Sequence, residues 1–108
     1  MNLHHLSEFT DFSPEKLRKH GVFSTRRFFL DVYCLRPGQE QSAHAHADAD
    51  KLYLGIEGRP SVLVDGEERV LEPGAVVHCP AGSSHGVRNA GPVDARVLVF
   101  MTPNPGRP

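Results

Sequence analysis

The chain has 108 residues, of which 39 % are hydrophobic and 23 % charged, and its formal net charge is −1. This length is close to that of one ordinary domain, so we expect a single domain with its own core. The near-neutral charge argues against a surface for nucleic acid or anionic membrane. No apolar run approaches the roughly 18 residues that a membrane-spanning helix needs.

The N-terminal segment carries the signals of a short helix. Ser13 can cap it, Pro14 suits its first position, and Gly21 follows it as a stop signal. The first residues, MNLHHLSEFTD, lack the basic start and long apolar run of a signal peptide. Cys34 and Cys79 form no CxxC pair. We therefore expect a cytoplasmic protein with reduced thiols.

The rest of the chain has the pattern of short strands separated by glycine and proline turns. Strands are predicted over 23–36, 41–46, 51–57, 61–64, 69–71, 75–79, 86–88 and 95–101. Asp65–Gly66, between two such runs, is the strongest hairpin signal. Many short strands after one early helix predict an antiparallel sandwich or barrel. We predict an N-terminal arm with the short helix at 1–22, a barrel at 23–101 and a flexible tail at 102–108.

Two of the histidines have a spacing that suits a metal ligand pair. His44 and His46 stand at i and i+2, so on a strand both rings leave the same face. His85 follows a Pro80–Ala81–Gly82 turn and begins another predicted strand. An HxH pair is a weak signal by itself. The remaining histidines are expected to be exposed or to have structural roles: His4, His5, His20 and His78.

Two longer motifs contain these three histidines. The first is Gly38-(x5)-His44-x-His46-(x4)-Lys51-(x6)-Gly58, and the second is Gly74-(x5)-Pro80-x-Gly82-(x2)-His85-(x3)-Asn89. On these motifs the chain resembles the cupin superfamily, in its small single-domain, "cupin 2"-like form. The resemblance extends over about residues 23–101. It implies an all-β fold, a double-stranded β-helix or jelly-roll barrel, preceded here by the short helix.

The resemblance also implies that His44, His46 and His85 point into the barrel and hold one divalent metal. A three-histidine site with open positions is typical of catalytic metal centres. Imidazoles suit Fe, Ni, Cu or Zn, and the family also uses Mn, so the sequence does not select the metal.

Lys51 stands where the family usually has a glutamate, the fourth protein ligand. Three arrangements remain open: a neutral Lys51, a Lys51 that reaches past the metal to an anionic substrate, or one that pairs with Asp50 outside the site. Asp50 is an alternative oxygen ligand, although strand alternation puts Lys51, Tyr53 and Gly55 on one face and Asp50 on the other. Lys51 and Tyr53 are the candidate catalytic residues, and Tyr53 could equally be a core aromatic.

Two functions are consistent with this site. The first is a metal-dependent enzyme that acts on a small molecule, an oxidoreductase or isomerase with dioxygenase- or isomerase-like chemistry. The alternative is a non-catalytic module that binds or senses a small molecule, with or without metal, and the altered Lys51 position favours it. We expect a small-molecule ligand, no nucleic-acid or membrane partner, and a homodimer formed through open sheet edges, as is common in the family.

Overall fold

The structure is a computed structural model that describes residues 1–106. A 3-10 helix, Leu6–Glu8, precedes a succession of strands. The strands are β1 (Arg18–Ser24), β2 (Phe29–Leu35), β3 (Glu40–Ala45), β4 (Asp50–Glu57), β5 (Ser61–Val64), β6 (Glu67–Val70), β7 (Val76–Cys79), β8 (Ser84–Arg88) and β9 (Ala95–Thr102). Within this described part of the chain, no helix is long and apolar enough to cross a membrane.

The strands form two antiparallel sheets that enclose one core. Five strands pair in the order β1-β2-β9-β4-β7, and four pair in the order β3-β8-β5-β6. Side chains from both sheets meet in one buried cluster, with Tyr33 and Tyr53 from the first sheet and Val62 and Val87 from the second. The predicted all-β jelly-roll class is therefore confirmed.

Side-chain alternation in β4 decides which residues face the second sheet. Lys51, Tyr53 and Gly55 are buried, whereas Asp50 is exposed, as the period of two requires. A lysine on this inner face is unusual, because a buried ammonium loses its hydration. The fold thus places a cationic side chain among core residues.

The N-terminal arm covers the outer face of the five-stranded sheet. Arg96 on β9 donates from its guanidinium to the carbonyl oxygens of Leu6 (2.8 Å) and Phe9 (3.2 Å), and it pairs with Glu57. The Cys34 thiol also donates to Phe9 O at 3.4 Å. Because the arm lies over it, β2 is buried on both faces.

The position predicted for the N-terminal helix was wrong. The helix is only the three-residue 3-10 turn Leu6–Glu8, whereas the segment that Ser13 was expected to cap continues into β1. Arg18–Ser24 pairs with β2, with a bulge between Gly21 and Phe23. The capping signals were local, and the backbone hydrogen bonds offered by the neighbouring strand outweighed them.

The other element boundaries agree with the predictions to within a few residues, with one exception. The predicted 23–36 strand is two strands, because a turn after Ser24 separates β1 from β2. The Asp65–Gly66 hairpin is confirmed: both residues have positive φ, 49° and 84°, as a two-residue type I′ turn requires. In the predicted tail, Asn104 donates to Thr25 O at 2.8 Å, and residues 107–108 lie outside the described residues.

Candidate metal and ligand site

The structure brings the three predicted histidines together. His44 on β3 lies directly opposite His85 on β8 in the antiparallel ladder, and His46 immediately follows β3. One ligand nitrogen from each ring lies within 4.8 Å of the other two. The cluster therefore combines one pair from a single strand with one residue from the adjacent strand.

A bulge in β3 produces this register. The pairing of β3 with β8 shifts between Gln41 and His44, so the strand advances irregularly just before the first histidine. Gly86 permits the bulge, because a Cβ there would lie 2.7 Å from Gln41 O and 2.9 Å from Ala43 N. Contacts that short with backbone atoms exclude any side chain at Gly86 without a shift of β3.

Backbone carbonyls fix the tautomers of two rings. The Nδ1 atom of His44 lies 2.9 Å from Ser42 O, and that of His85 lies 3.2 Å from Ser83 O. A carbonyl oxygen can only accept, so in each ring Nδ1–H donates and Nε2 carries the lone pair. This is the usual outer hydrogen bond of a metal-ligating histidine.

The Nε2 atom of His85 has no hydrogen-bond partner among the described residues although it is buried. A buried polar nitrogen without a partner costs on the order of 1–3 kcal/mol. Burial, reinforced by the positive charge of Lys51, lowers the pKa of His85 to about 4. At neutral pH the ring is therefore uncharged, and its Nε2 lone pair can bind a metal. Burial also lowers the pKa of His46. Neutral imidazoles with inward lone pairs are the donor set that a divalent transition metal requires.

Lys51 enters the site from the opposite sheet. It is 1 % exposed, and its ammonium lies 5.8 Å from the Tyr33 ring centroid and 5.2 Å from that of Tyr53. Its hydrogen-bond acceptor is Gln41 Oε1, at 3.4 Å. Burial lowers the pKa of Lys51 to about 8, with a smaller contribution from the charge of Lys19.

Tyr53 lies between Lys51 and the histidines. Its ring centroid is 6.3 Å from that of His85, in an edge-to-face arrangement that joins the two sheets. Its hydroxyl oxygen is buried without a partner among the described residues, and burial raises its pKa far above the ordinary value. The hydroxyl is therefore a neutral hydrogen-bond donor in the core, and Tyr53 is not among the residues that line the cavity beside the histidines.

Asp50 lies outside the histidine cluster. One carboxylate oxygen accepts from Ala81 N–H at 2.7 Å, and the other lies 3.5 Å from Nε2 of His78. Both side chains of this contact are about half exposed. The interaction anchors the turn before His85, and Asp50 does not pair with Lys51.

A cavity of about 210 Å³ opens beside the cluster. The two sheets and the C-terminal segment line it, with His44 and His46 from one side and Lys51 and Tyr33 from the other. Larger clefts of about 470 and 580 Å³ lie at the two seams between the sheets and contain none of the three clustered histidines.

Sequence reasoning missed part of this wall. Tyr33, Lys19 and Gln41 all line the cavity beside the histidines. Tyr33 could have been found from the alternation of β2, which puts it on the same face as Phe29. Lys19 was missed because its strand was predicted to be helical, and Gln41 because the bulge is not visible in the sequence.

Two facing sheets with a histidine cluster beside an open cavity define a small β-barrel with a candidate metal centre. The family model described as "Cupin domain" matches residues 31–101. The chain therefore belongs to the cupin family.

Solved structures have the same fold over nearly the whole chain. A protein from Thermus thermophilus is 41 % identical, with a TM-score of 0.92 over 95 % of this chain and 98 % of that one. An RmlC-like cupin from Desulfovibrio desulfuricans is 27 % identical, with a TM-score of 0.84 over 95 % and 97 % of the two chains.

Curated relatives match over 80 residues, or 74 % of this chain. The tetracenomycin polyketide synthase protein TcmJ of Streptomyces glaucescens is 38 % identical over 54 % of its length. The 5-nitrosalicylic acid 1,2-dioxygenase of a Bradyrhizobium species is 32 % identical over 38 % of its length. The chain thus spans about half or less of these relatives.

Proposed function

We propose that this cupin binds one divalent transition metal through His44, His46 and His85 and acts on a small molecule in the adjacent cavity. The single observation that carries the proposal is the buried Nε2 of His85, which has no partner among the described residues and belongs to a cluster of three ligand nitrogens. The fixed tautomers of two of the rings support it.

The residues that bind the metal and the residue that orients the ligand would lie on different sheets. The histidines on the four-stranded sheet would hold the ion, which when bound supplies Lewis-acid or redox chemistry. Lys51 on the five-stranded sheet would orient the ligand through its ammonium. A dioxygenase among the relatives is consistent with oxidoreductase chemistry, and isomerase chemistry is the other enzymatic form of the proposal.

Metal analysis of purified protein tests the site. Loading with Fe, Mn, Ni, Cu or Zn in turn, followed by desalting, should leave about one ion per chain for the preferred metal. His44→Ala and His85→Ala should each remove it, whereas His78→Ala, in an exposed histidine outside the cluster, should retain it. Stoichiometric metal in both cluster variants would refute the proposal.

A non-catalytic binding or sensing module is the second candidate function. Lys51 favours it, because a cationic residue in place of an acidic ligand opposes the tight metal binding that catalysis needs. An oxygen-uptake screen of metal-loaded protein with small phenols, thiols and keto acids separates the two. Turnover that His85→Ala abolishes supports the enzyme. A protein inert throughout, whose melting temperature a ligand nevertheless raises, supports the binding module.

We also propose a homodimer. In the described chain, β1 and β7 are the outer strands of one sheet and β3 and β6 those of the other, so each offers backbone groups on one side. Light scattering on the eluted peak of a size-exclusion column should give twice the chain mass. A single-chain mass at all concentrations would exclude the dimer.

A further inference from the structure

We propose that the cavity beside His44 and His46 is an anion site, in which Lys51 and Lys19 bind a compact planar ligand that carries a carboxylate. The proposal names the ligand class for the function proposed above and rests on it for the identity of the site. The lysines and the cavity wall that carry it do not depend on the metal.

The charge of the cavity wall is one-sided. Lys19 and Lys51 both line it, and no aspartate or glutamate is among its lining residues in the described chain. Asp31 is buried on the same face of β2 as Phe29 and Tyr33, and its charge acts on Lys51 and offsets part of this positive excess. A metal at the histidines would add further positive charge to the same space. An anionic ligand is therefore the one that this wall attracts.

Among the described residues, the ammonium of Lys51 has few hydrogen-bond acceptors. It has three N–H donors, and the described residues give it one long hydrogen bond, to Gln41 Oε1 at 3.4 Å. The faces of Tyr33 and Tyr53 supply weaker cation–π contacts. A buried charge held in this way gains most from a ligand that brings an opposite charge and hydrogen-bond acceptors.

A second lysine converges on the same ring. The Lys19 ammonium lies 5.4 Å from the Tyr33 centroid, and Lys51 lies 5.8 Å from it. Lys19 is exposed, so it stands at the mouth of the cavity while Lys51 stands inside. Two like charges near one ring repel each other, and an anion between them would relieve that repulsion.

The shape of the cavity limits the ligand. Its volume of about 210 Å³ is smaller than the roughly 300–1,000 Å³ of drug-sized pockets, so the ligand must be compact. Phe29 and Tyr33 contribute aromatic surface to the wall. A single-ring carboxylate fits these features best.

Calorimetric titration with benzoate and its neutral isostere benzamide tests the proposal. Metal-free protein should bind benzoate at least about tenfold more tightly than benzamide, since one ion pair in a desolvated site gives a preference of that order. Lys51→Met and Lys51→Gln should both remove most of that preference and leave benzamide binding unchanged. Lys19→Met should weaken benzoate by a smaller factor and reduce its dependence on salt. Lys16→Met is the matched control, because Lys16 is exposed and does not line the cavity. It should change neither the affinity for benzoate nor that for benzamide.

The design separates this proposal from the metal site. His44→Ala and His85→Ala should both lose metal, and His85→Ala, which alters no residue that lines the cavity, should retain the benzoate preference of the metal-free protein. If those variants keep stoichiometric metal, the metal site fails while the anion site stands. Three results would each overturn the anion site. The first is equal binding of benzoate and benzamide, and the second is benzoate binding that survives both Lys51 variants. The third is no benzoate binding at millimolar concentration, with or without metal.

Discussion

Replacement of the buried Lys51 by methionine should stabilise the metal-free protein at neutral pH. Methionine has a similar length and no charge, so it keeps the packing between Tyr33 and Tyr53 without the cost of burying an ammonium. The pKa of Lys51 falls from 10.5 to about 8 in the folded chain, chiefly through burial. At about 1.4 kcal/mol per pH unit, that shift corresponds to a destabilisation of the folded state by about 3 kcal/mol.

The pH dependence of this cost has a defined direction. Below pH 8 both the folded and the unfolded chain bind the Lys51 proton, and the full cost is present. Between about pH 8 and 10.5 the unfolded chain binds more protons at this position, so the free energy of unfolding of the wild type rises with pH relative to the variant. Above that window the ammonium is lost in both states, and the difference between the proteins should shrink by about 3 kcal/mol.

Urea denaturation of both proteins at pH 7, 8, 9 and 10, in a metal chelator, measures the difference directly. Titrating groups that do not interact with Lys51 cancel, because both proteins contain them. The thiol of Cys79 stands opposite Lys51 and interacts with its charge, but burial raises the pKa of this thiol to about 11, above the pH range measured. Lys16→Met should give a pH-independent difference within about 0.5 kcal/mol. A Lys51→Met difference that is equally constant from pH 7 to 10 would refute the burial cost.

Three further perturbations test other parts of the structure. Gly86→Ala should destabilise the fold by about 1–3 kcal/mol and weaken metal binding, because its Cβ would meet the β3 backbone at 2.7 Å; urea denaturation and metal titration measure both effects. Arg96→Gln should cost about 1–3 kcal/mol by removing the guanidinium hydrogen bonds that join Leu6 O and Phe9 O of the N-terminal arm to β9, and should speed amide hydrogen exchange in the arm. Metal binding at pH 6 should release fewer than two protons, because burial lowers the pKa of His85 to about 4, so that this ring is already neutral, and also lowers the pKa of His46; calorimetry in buffers of different ionisation enthalpy counts the protons.

Each of these has a matched comparison. Gly91→Ala adds the same methyl group where the closest atom is 3.5 Å away, so an equal loss there would show that the bulge at Gly86 is not special. Arg59→Gln removes an exposed ion pair with Glu72 and should cost well under 1 kcal/mol. If amide exchange in the N-terminal arm of this variant is as fast as in Arg96→Gln, the Arg96 hydrogen bonds do not hold the arm. Release of two or more protons per metal ion would contradict the burial of the two rings.

The parts of the site that local spacing controls could be predicted from the sequence. The i, i+2 spacing of His44 and His46 and the turn before His85 determine where those rings emerge, and alternation in β4 put Lys51 and Tyr53 on the inner face. These patterns depend on backbone geometry within a few residues, which a strand repeats wherever it forms.

The parts that depend on pairing between distant segments could not be predicted. The segment after Ser13 has helix-capping residues, and only its ladder with β2 makes it a strand. That change of element brings Lys19 opposite Tyr33 in the ladder. The bulge that sets Gln41 beside Lys51 likewise depends on the close approach of β3 to β8. Neither is visible in a single sequence, because the partner strand decides it.

The division of the site between two sheets has a consequence for how such a protein can diverge. The histidines stand on β3, the residue after it and β8, whereas Lys51 and Tyr53 stand on β4, which belongs to the other sheet and pairs with β9 and β7. A mutation in β4 can thus change the charge presented to a ligand while the imidazole cluster keeps its register. The positions of the metal ligands can therefore be kept in evolution while the residue that faces the ligand changes.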